Sequence, residues 1–215
     1  MAGGGGDILV LNCGSSSIKF AVFDRDLNRR HAGEAERIGG TALLSIDDTS
    51  RALQLRDHRA ALQAILATLE GLGVSAGDLA AAAHRVVHGG RALTASARIT
   101  PKLRAAISAA SRLAPLHNPH NLAGIDAVTA LDPALPQVAC FDTAFHATNP
   151  EVALRYALPD RPETHGLRRY GFHGLSYAGL AARLPEISGT PLPERVLAMH
   201  LGNGASLCAI HAGRS

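Results

Sequence analysis

The chain of 215 residues carries a net charge of +3, and its residues are 47% hydrophobic and 18% charged. This length and composition predict one large folded domain, or one domain and part of a second, and they exclude a disordered chain. The apolar runs are only a few residues long, far below the roughly 20 that a membrane helix needs, so we expect no membrane partner. The scattered arginines form no basic stripe with interleaved aromatic residues, which argues against a nucleic-acid partner.

Residues 1–6, MAGGGG, contain neither the basic nor the apolar segment of a secretory signal. We interpret them as the flexible leader of a cytoplasmic protein. Cys13, Cys140 and Cys208 are odd in number and far apart in apolar surroundings. They therefore predict buried thiols in a reducing compartment, and neither a disulfide framework nor a zinc site.

Short strands dominate the beginning of the chain. We predict strands over Asp7–Cys13, Ser17–Asp24, Arg29–Ile38, Ala42–Asp47 and Arg51–Leu55, arranged as an antiparallel meander. The apolar period then changes to that of a helix over Asp57–Leu72, with Leu62, Ile65, Leu66 and Leu69 on one face.

Helices and strands alternate in the remainder of the chain. In order, we predict a strand over Ala82–Val87, helices over Pro101–Leu113 and Asn118–Leu131, a buried strand over Gln137–Phe141, a helix over Leu175–Leu184, and strands over Arg195–His200 and Ser206–His211. This order predicts an α/β fold with a mixed sheet. We place a domain boundary near Asn149, with a first domain over residues 7–148 and an incomplete second domain over 149–215.

Two loops of small residues join pairs of predicted strands. The first, in Asn12–Phe20 (NCGSSSIKF), offers accessible backbone N–H groups, three hydroxyls and Lys19, which together suit a phosphate. It differs from the Walker pattern, which places a helix after the loop, and an ordinary polar turn would have a similar composition. A second glycine hairpin in His200–Ser206 (HLGNGAS) has the same design, and the pair favours phosphate binding.

Single polar residues mark four further segments. Arg85 in a valine-rich strand either meets a buried carboxylate or binds an anion in a cleft. Asp142 directly follows a buried strand, where α/β sheets collect functional residues. His173 lies in a loop between two glycines. His117 and His120 at the start of a helix could bind a metal, but their spacing favours a capping or packing role.

Jointly, these segments resemble the acetate kinase family within the actin-like and sugar-kinase superfamily. The matching segments are NCGSSSIKF, HRVVHGG, APLHNP, FDTAFH, YGFHG and HLGNGAS. The resemblance implies ribonuclease-H-like domains with the active site in the cleft between them, and reversible phosphorylation of acetate by ATP to give acetyl phosphate. It also implies Mg²⁺ or Mn²⁺ as cofactor and a homodimer of the full-length protein. The alternatives are a propionate or butyrate kinase, and a folded module without activity.

The resemblance also implies roles for single residues. Asn12 would lie near the metal, and Arg85 would bind the acetate carboxylate in a pocket walled by Val87 and Leu116. The implied catalytic residues are Asp142, His173 and Arg85. The implied ATP- and phosphate-binding residues are Ser15, Ser17, Lys19, His117, His200, Leu201, Gly202, Asn203 and Gly204.

The chain departs from the family pattern in two ways. Leu175 and Tyr177 stand where a threonine and a histidine are common in the family. Family members also continue with a second active-site arginine, an adenosine-binding glycine region and a late glutamate near the metal. We therefore expect the 215 residues alone to be catalytically inactive.

Overall fold

The structure is a computed structural model that describes residues 6–215, so most of the predicted leader, residues 1–5, lies outside the described residues. The described residues form two compact units. The first comprises the residues up to Val86 together with Ser96–Cys140, and the second comprises Val87–Ala95 and Phe141–Ser215. The chain thus enters the second unit at Phe141, ahead of the predicted boundary near Asn149, and Val87–Ala95 joins the second unit from within the predicted first domain.

A mixed sheet is the centre of the first unit. Its strands, in chain order, are β1 (Asp7–Cys13), β2 (Ser17–Phe23), β3 (Arg29–Glu36), β4 (Gly40–Ile46), β5 (Thr49–Leu55), β6 (Leu79–Val86), β7 (Ala97–Arg98) and β8 (Gln137–Phe141). Across the described sheet, the order is β5-β4-β3-β2-β1-β6-β8-β7. The first five strands form the predicted antiparallel meander, whereas β1 pairs with β6 in parallel, with Leu11 opposite His84. The predicted mixed α/β sheet is confirmed.

Three helices accompany this sheet, namely α1 (His58–Gly71), α2 (Pro101–Ala110) and α3 (Asn118–Leu131). Asp57 caps α1, because its side chain accepts a hydrogen bond of 2.7 Å from the backbone N–H of Ala60. The predicted apolar face of α1 is correct: Leu62, Ile65 and Leu69 are buried in the core, and Leu66 packs at its edge.

The helix α3 approaches β1 closely at Gly124. A Cβ atom at this position would collide with Sγ of Cys13. Burial raises the pKa of the Cys13 thiol to about 12, so the side chain packs as a small neutral group. Cys208 is also buried, as predicted, whereas Cys140 is only half-buried.

The second unit contains the short helix α4 (Glu151–Leu154), the helix α5 (Gly174–Ser188) and a hairpin of β9 (Arg195–Leu201) and β10 (Ala205–His211). A small core joins α5 to the hairpin and contains Tyr177, Ala198, Cys208 and Ile210. Alternate residues of the hairpin are apolar and exposed, namely Leu197, Met199, Leu201 and Leu207. Among the described helices, none is long and apolar enough to cross a bilayer.

The structure differs from the predicted elements at helix ends, in 3₁₀ turns, at β6, which begins at Leu79 and not at Ala82, and in β7 and α4, which were not predicted. The helix α2 ends at Ala110 because Ser111–Leu113 tightens into a 3₁₀ turn. The helix α5 continues beyond the predicted end at Leu184, through Pro185, and stops at the left-handed Gly189. Further 3₁₀ turns over Ala76–Asp78 and Ala144–Thr148 were not predicted, since such short turns have no apolar period.

We predict that Gly124→Ala lowers the free energy of unfolding by about 1–3 kcal/mol, because the new methyl group overpacks the contact with Cys13. The double variant with Cys13→Ala should recover part of this loss. Gly179→Ala is the matched control: a Cβ there meets nothing within 4 Å, so alanine in α5 should be neutral or stabilising by up to about 1 kcal/mol. Thermal unfolding followed by circular dichroism measures all three, and an unchanged Gly124→Ala variant would contradict the packing argument.

Candidate functional site

The first glycine loop connects β1 to β2 in a tight hairpin. Asn12 pairs with Lys19 in the strand register, and the backbone N–H of Gly14 donates to the carbonyl oxygen of Ser17 at 2.8 Å. Ser15 is exposed and Ser17 is half-buried. The loop therefore presents the hydroxyls of Ser15 and Ser17 at the carboxyl end of β1, and anion binding by this turn stays a prediction.

Lys19 forms an ion pair within the sheet. Its ammonium nitrogen lies 3.0 Å from a carboxylate oxygen of Glu34, the residue opposite it on β3. The Lys19 side chain is 63% exposed, whereas that of Glu34 is half-buried. A pair that solvent reaches in this way contributes only modestly to stability. A phosphate could therefore replace Glu34 at the ammonium group at a small energetic cost.

Two side chains from helices hold the backbone of this loop. His58 on α1 lies with its Nε2 atom 2.7 Å from the carbonyl oxygen of Gly14, and Asn121 on α3 donates from Nδ2 to the carbonyl oxygen of Cys13 at 2.8 Å. The ring of His58 stacks on that of His120 with centroids 6.1 Å apart. Sequence analysis missed these residues, because their partners lie far away in the chain and no local pattern marks them.

Arg85 lies beside Asn12 at the carboxyl ends of two parallel strands. The Arg85 Nη1 atom donates a hydrogen bond of 3.1 Å to Oδ1 of Asn12. Thus the predicted carboxylate-binding residue and the predicted metal-side residue are in contact. The amide oxygen orients the guanidinium group without neutralising its charge.

The strand β6 alternates around this arginine. Arg85 is half-buried, whereas its neighbours His84 and Val86 are buried on the opposite face. Burial lowers the pKa of His84 to about 4, and the Gln137 side chain opposes part of this effect. His84 is therefore a neutral core residue and contributes no positive charge at neutral pH.

The loop before α3 exposes the two residues predicted there. Leu116 is 77% exposed. His117 is the N-cap residue of α3, but its side chain makes no capping hydrogen bond. Both side chains are thus available at the surface of the first unit.

In the second unit, the backbone N–H of Gly89 donates a hydrogen bond of 3.1 Å to Oγ1 of Thr143, which joins Val87–Ala95 to the segment after β8. Asp142 follows β8 as predicted and is only 1% exposed. Its carbonyl oxygen accepts from the N–H of Gly174 at 2.8 Å, an approach that a Cβ atom at Gly174 would block. Val87 is also buried.

His173 is the N-cap residue of α5 and has a left-handed backbone, with φ of 56°. Its imidazole stacks on that of His200, with ring centroids 4.0 Å apart and planes inclined by 19°. The Nδ1 atom of His173 lies 2.8 Å from Oγ of Ser206, and Nδ1 of His200 lies 3.0 Å from Oγ of Ser176. Tyr177 also reaches Ser206, at 2.5 Å. We call these five residues the imidazole cluster.

The second glycine turn borders the imidazole cluster. Leu201 at the end of β9 and Gly202, Asn203 and Gly204 in the turn before β10 are all exposed. A Cβ atom at Gly204 would lie 3.4 Å from Cε1 and 3.5 Å from Nε2 of His173. The structure thus brings together the predicted His173, His200 and Gly204, and it adds Ser176, Tyr177 and Ser206.

His146 is a further residue that sequence analysis missed. Its Nδ1 atom lies 2.8 Å from Oγ of Ser215, and its Nε2 atom lies 3.0 Å from the carbonyl oxygen of Phe172. Burial lowers its pKa, against the opposing effects of Phe172 and Asp142. His146 ties the segment after β8 to the segment before α5, and its place in the FDTAFH motif was the available signal.

The comparisons with known proteins agree with these motifs. The model of the acetokinase family matches residues 7–215. The chain belongs to the acetokinase family. The acetate kinase of Deinococcus radiodurans is 48% identical over 215 residues, which cover 96% of this chain and 54% of that relative. The chain thus spans about half the length of the curated relatives it matches.

Solved structures of the same family have a similar fold. The Porphyromonas gingivalis acetate kinase matches with a TM-score of 0.86 at 38% identity, over 97% of this chain and 56% of that one. A propionate kinase from Francisella tularensis matches with a TM-score of 0.86 at 35% identity, over the same shares. The actin-like ATPase fold expected from the acetokinase motifs is confirmed.

We predict that His84 makes stability fall as the pH decreases. Its pKa is about 4 in the folded chain and about 6.5 when unfolded, so the unfolded state binds more protons between these values. The free energy of unfolding should therefore decrease by about 2 kcal/mol from pH 7 to pH 5 through this residue. Denaturant unfolding at the two pH values should show a smaller decrease for His84→Leu. His117→Asn, which removes an exposed histidine, should keep the parental decrease, and an equal decrease in all three proteins would contradict this assignment.

Proposed function

We propose that this chain forms the acetate- and phosphate-binding part of an acetate kinase, which transfers a phosphoryl group reversibly between ATP and acetate. The observation that carries the proposal is the 48% identity to an acetate kinase along almost the whole chain. The six motif segments lie within the matched residues 7–215. The proposal includes ATP and a divalent metal as family requirements, and a cytoplasmic homodimer as the state of the whole protein.

Charge repulsion is the main obstacle to this reaction. Acetate resembles the side chain of glutamate, with a pKa of about 4.3, so it is ionised at neutral pH and needs no general base. A carboxylate at about 4 Å from a phosphoryl oxygen is repelled by about 4 kcal/mol per pair of unit charges at an effective dielectric constant of 20. Catalysis therefore depends on positive charge that is already in place.

The first unit supplies two such charges. Arg85 presents a guanidinium group whose direction is fixed by the hydrogen bond to Asn12, and a planar fork of donors suits a carboxylate. Lys19 offers an ammonium group, at which a phosphate would replace Glu34 as the ion-pair partner. We assign Arg85 to acetate and Lys19 to the phosphate groups of ATP, together with Ser15 and Ser17 in the hairpin loop.

The residues present suit Mg²⁺ that arrives with the nucleotide. Among residues 6–215, no group of three His, Cys, Asp or Glu side chains could hold a metal by itself. Mg²⁺ in kinases keeps several waters and binds mainly to phosphates, so one amide oxygen such as that of Asn12 is a suitable contribution from the protein. When bound, the ion neutralises charge on the phosphates. We assign the buried Asp142 to orienting the metal or an arginine, because acetate has no proton to give.

The second unit supplies the imidazole cluster and the second glycine turn. We assign His173 to the phosphoryl group in transfer, since its ring is held by Ser206 and by stacking on His200. His117, His200 and the residues Leu201, Gly202, Asn203 and Gly204 are assigned to the phosphates of ATP. Preorganised donors of this kind stabilise the charge of a phosphoryl transition state.

Acetyl phosphate production tests the proposal. The whole protein that contains these residues, incubated with ATP, Mg²⁺ and acetate, should yield an acetyl hydroxamate after trapping with hydroxylamine. No hydroxamate, or ATP hydrolysis that does not depend on acetate, would contradict acetate kinase activity. The 215 residues alone, assayed in parallel, test the expectation that they are inactive.

We predict that Arg85→Ala in the whole protein raises the KM for acetate and lowers kcat by at least about tenfold, because one guanidinium holds the carboxylate and the developing charge. Arg85→Lys should recover only part of the activity, since it keeps the charge and loses the planar fork. Arg59→Ala is the matched control on the exposed surface of α1 and should leave acetate kinetics unchanged. Parental KM and kcat in Arg85→Ala would remove Arg85 from the site.

The similarity to a propionate kinase raises the question whether the acceptor is acetate or the longer propionate. One methylene changes acceptor binding by only about 1–3 kcal/mol. We predict that Val87→Ala raises kcat/KM for propionate relative to acetate, if Val87 lines the pocket for the methyl group. Val86→Ala is the matched control, because Val86 is a buried neighbour of Val87 at the end of β6. This variant should lower the Tm without changing the ratio. A ratio unaltered by Val87→Ala, together with a lowered Tm, would identify Val87 as a core residue.

A further inference from the structure

The hydroxyl of Tyr177 forms a short chain of hydrogen bonds to His173. The Tyr177 hydroxyl oxygen lies 2.5 Å from Oγ of Ser206, and the same Oγ lies 2.8 Å from Nδ1 of His173. Tyr177 is on α5 and only 1% exposed, and Ser206 is on β10. The three residues are thus linked through two different elements of the second unit.

We propose that Tyr177 and Ser206 are positioning residues that hold the neutral His173 ring in the tautomer with its proton on Nε2. This inference rests on the proposed function for one point only, namely that the Nε2 atom addresses a phosphoryl oxygen. The tautomer itself follows from the hydrogen bonds.

The direction of the chain follows from a count of protons. Each hydroxyl has one proton to donate, and a neutral imidazole has one protonated nitrogen. The hydroxyl of Tyr177, on a buried side chain, has Ser206 as its hydrogen-bond partner within the described residues. If Tyr177 donates to Ser206, Nδ1 of His173 is the acceptor that the contacts of the described residues offer to the Ser206 proton, and the ring proton then lies on Nε2.

The reverse direction is unfavourable. If Ser206 donated to Tyr177, the phenolic proton would be buried without an acceptor among residues 6–215, and buried donors are nearly always satisfied. The first direction satisfies both hydroxyl protons. It is therefore the arrangement that the buried tyrosine selects.

Further contacts keep the ring from turning. The stack on His200, at 4.0 Å between centroids, fixes the plane of the His173 ring. The backbone of Gly204 lies beside the Cε1 and Nε2 edge of the His173 ring, since a Cβ atom on Gly204 would be only 3.4 to 3.5 Å from these atoms. The ring is thus held on its Nδ1 side by Ser206, and the backbone turn borders its Nε2 side.

The tautomer matters for phosphoryl transfer. A phosphoryl oxygen accepts hydrogen bonds and repels lone pairs, so it binds the N–H side of a neutral imidazole. With the proton on Nε2, His173 donates to such an oxygen. With the proton on Nδ1, the ring would present a lone pair to the same oxygen and would weaken the site.

Tyr177 supplies the first donor in this chain of hydrogen bonds. It stands where the family commonly has a histidine, and the structure gives its hydroxyl a defined partner. A phenol in this position supplies its one proton to Ser206. The substitution within the family pattern is thus compatible with an oriented His173.

Nitrogen NMR of the ring tests the tautomer without substrate. The whole protein labelled with ¹⁵N-histidine should show, for neutral His173, an unprotonated Nδ1 and a protonated Nε2 in long-range ¹H–¹⁵N spectra, with His173→Gln identifying the signals. Tyr177→Phe and Ser206→Ala should each shift the ring towards a mixture of tautomers. Ser206→Thr, which keeps the hydroxyl, should retain the parental signals.

Ser176→Ala is the matched control, because it removes the partner of His200 and should leave the His173 tautomer unchanged. An Nδ1-protonated ring in the parent protein, or an unchanged ring in both Tyr177→Phe and Ser206→Ala, would overturn the proposal. If Tyr177→Phe fails to fold, Ser206→Ala together with Ser206→Thr decides the question.

Kinetics then separate this inference from the proposed function. In an active protein, Tyr177→Phe should lower kcat by about tenfold and leave the KM for acetate unchanged, as expected for the loss of one oriented donor. Tyr156→Phe, at an exposed position of the second unit, should keep the parental kcat. An inactive parent with an Nε2-protonated ring would refute acetate kinase activity alone, whereas a parental kcat in Tyr177→Phe with an altered tautomer would refute the role of the tautomer.

Discussion

Parallel pairing of β1 with β6 joins Asn12 and Arg85, residues that are 73 positions apart in the chain. Both strands end at the same edge of the sheet, so Asn12 near the end of β1 and Arg85 near the end of β6 lie side by side. The side-chain period of a strand is two, and a register shift of one residue would therefore exchange the faces of His84 and Arg85. The shift would bury a guanidinium group in the core, which is strongly unfavourable, so core packing itself fixes the direction of Arg85.

A comparable constraint acts in the second unit. Gly174 brings the start of α5 against the carbonyl oxygen of Asp142, which directly follows β8. This contact places His173 at the beginning of the helix, and the hairpin of β9 and β10 then supplies Ser206 and the glycine turn. The position of the imidazole thus depends on backbone packing, whereas its orientation depends on side-chain hydrogen bonds from α5 and β10.

Much of the fold could be predicted from local patterns. The bounds of α3 and β8 agree with prediction, since each is a strongly apolar segment bordered by proline. The two glycine hairpins were predicted because turn residues separate alternating strands. The short 3₁₀ turns and the end of α5 were not, because they depend on hydrogen bonds of single turns and not on a repeated pattern.

The site was predicted less completely than the fold. Motif residues such as Arg85, Asp142 and His173 could be named, but their partners could not. Tyr177 stood out in the sequence only as a departure from the family, and Glu34, His58 and Asn121 carried no signal at all. Each of these partners acts across a long stretch of chain, and such contacts depend on strand register and helix packing, which no local pattern encodes.

At His173, the left-handed backbone conformation lowers the stability of the fold, whereas the imidazole side chain is required for the proposed chemistry. A residue with a side chain loses about 1–2 kcal/mol in this conformation, although histidine and asparagine tolerate it better than most. Glycine would relax the backbone at 173 and would delete the imidazole with it. Selection for thermal resistance alone would therefore drive this position away from histidine. If functional selection of a variant library retains histidine at position 173, the degree of retention measures how strongly function requires the imidazole ring. This measure does not depend on a separate assay of the folded protein.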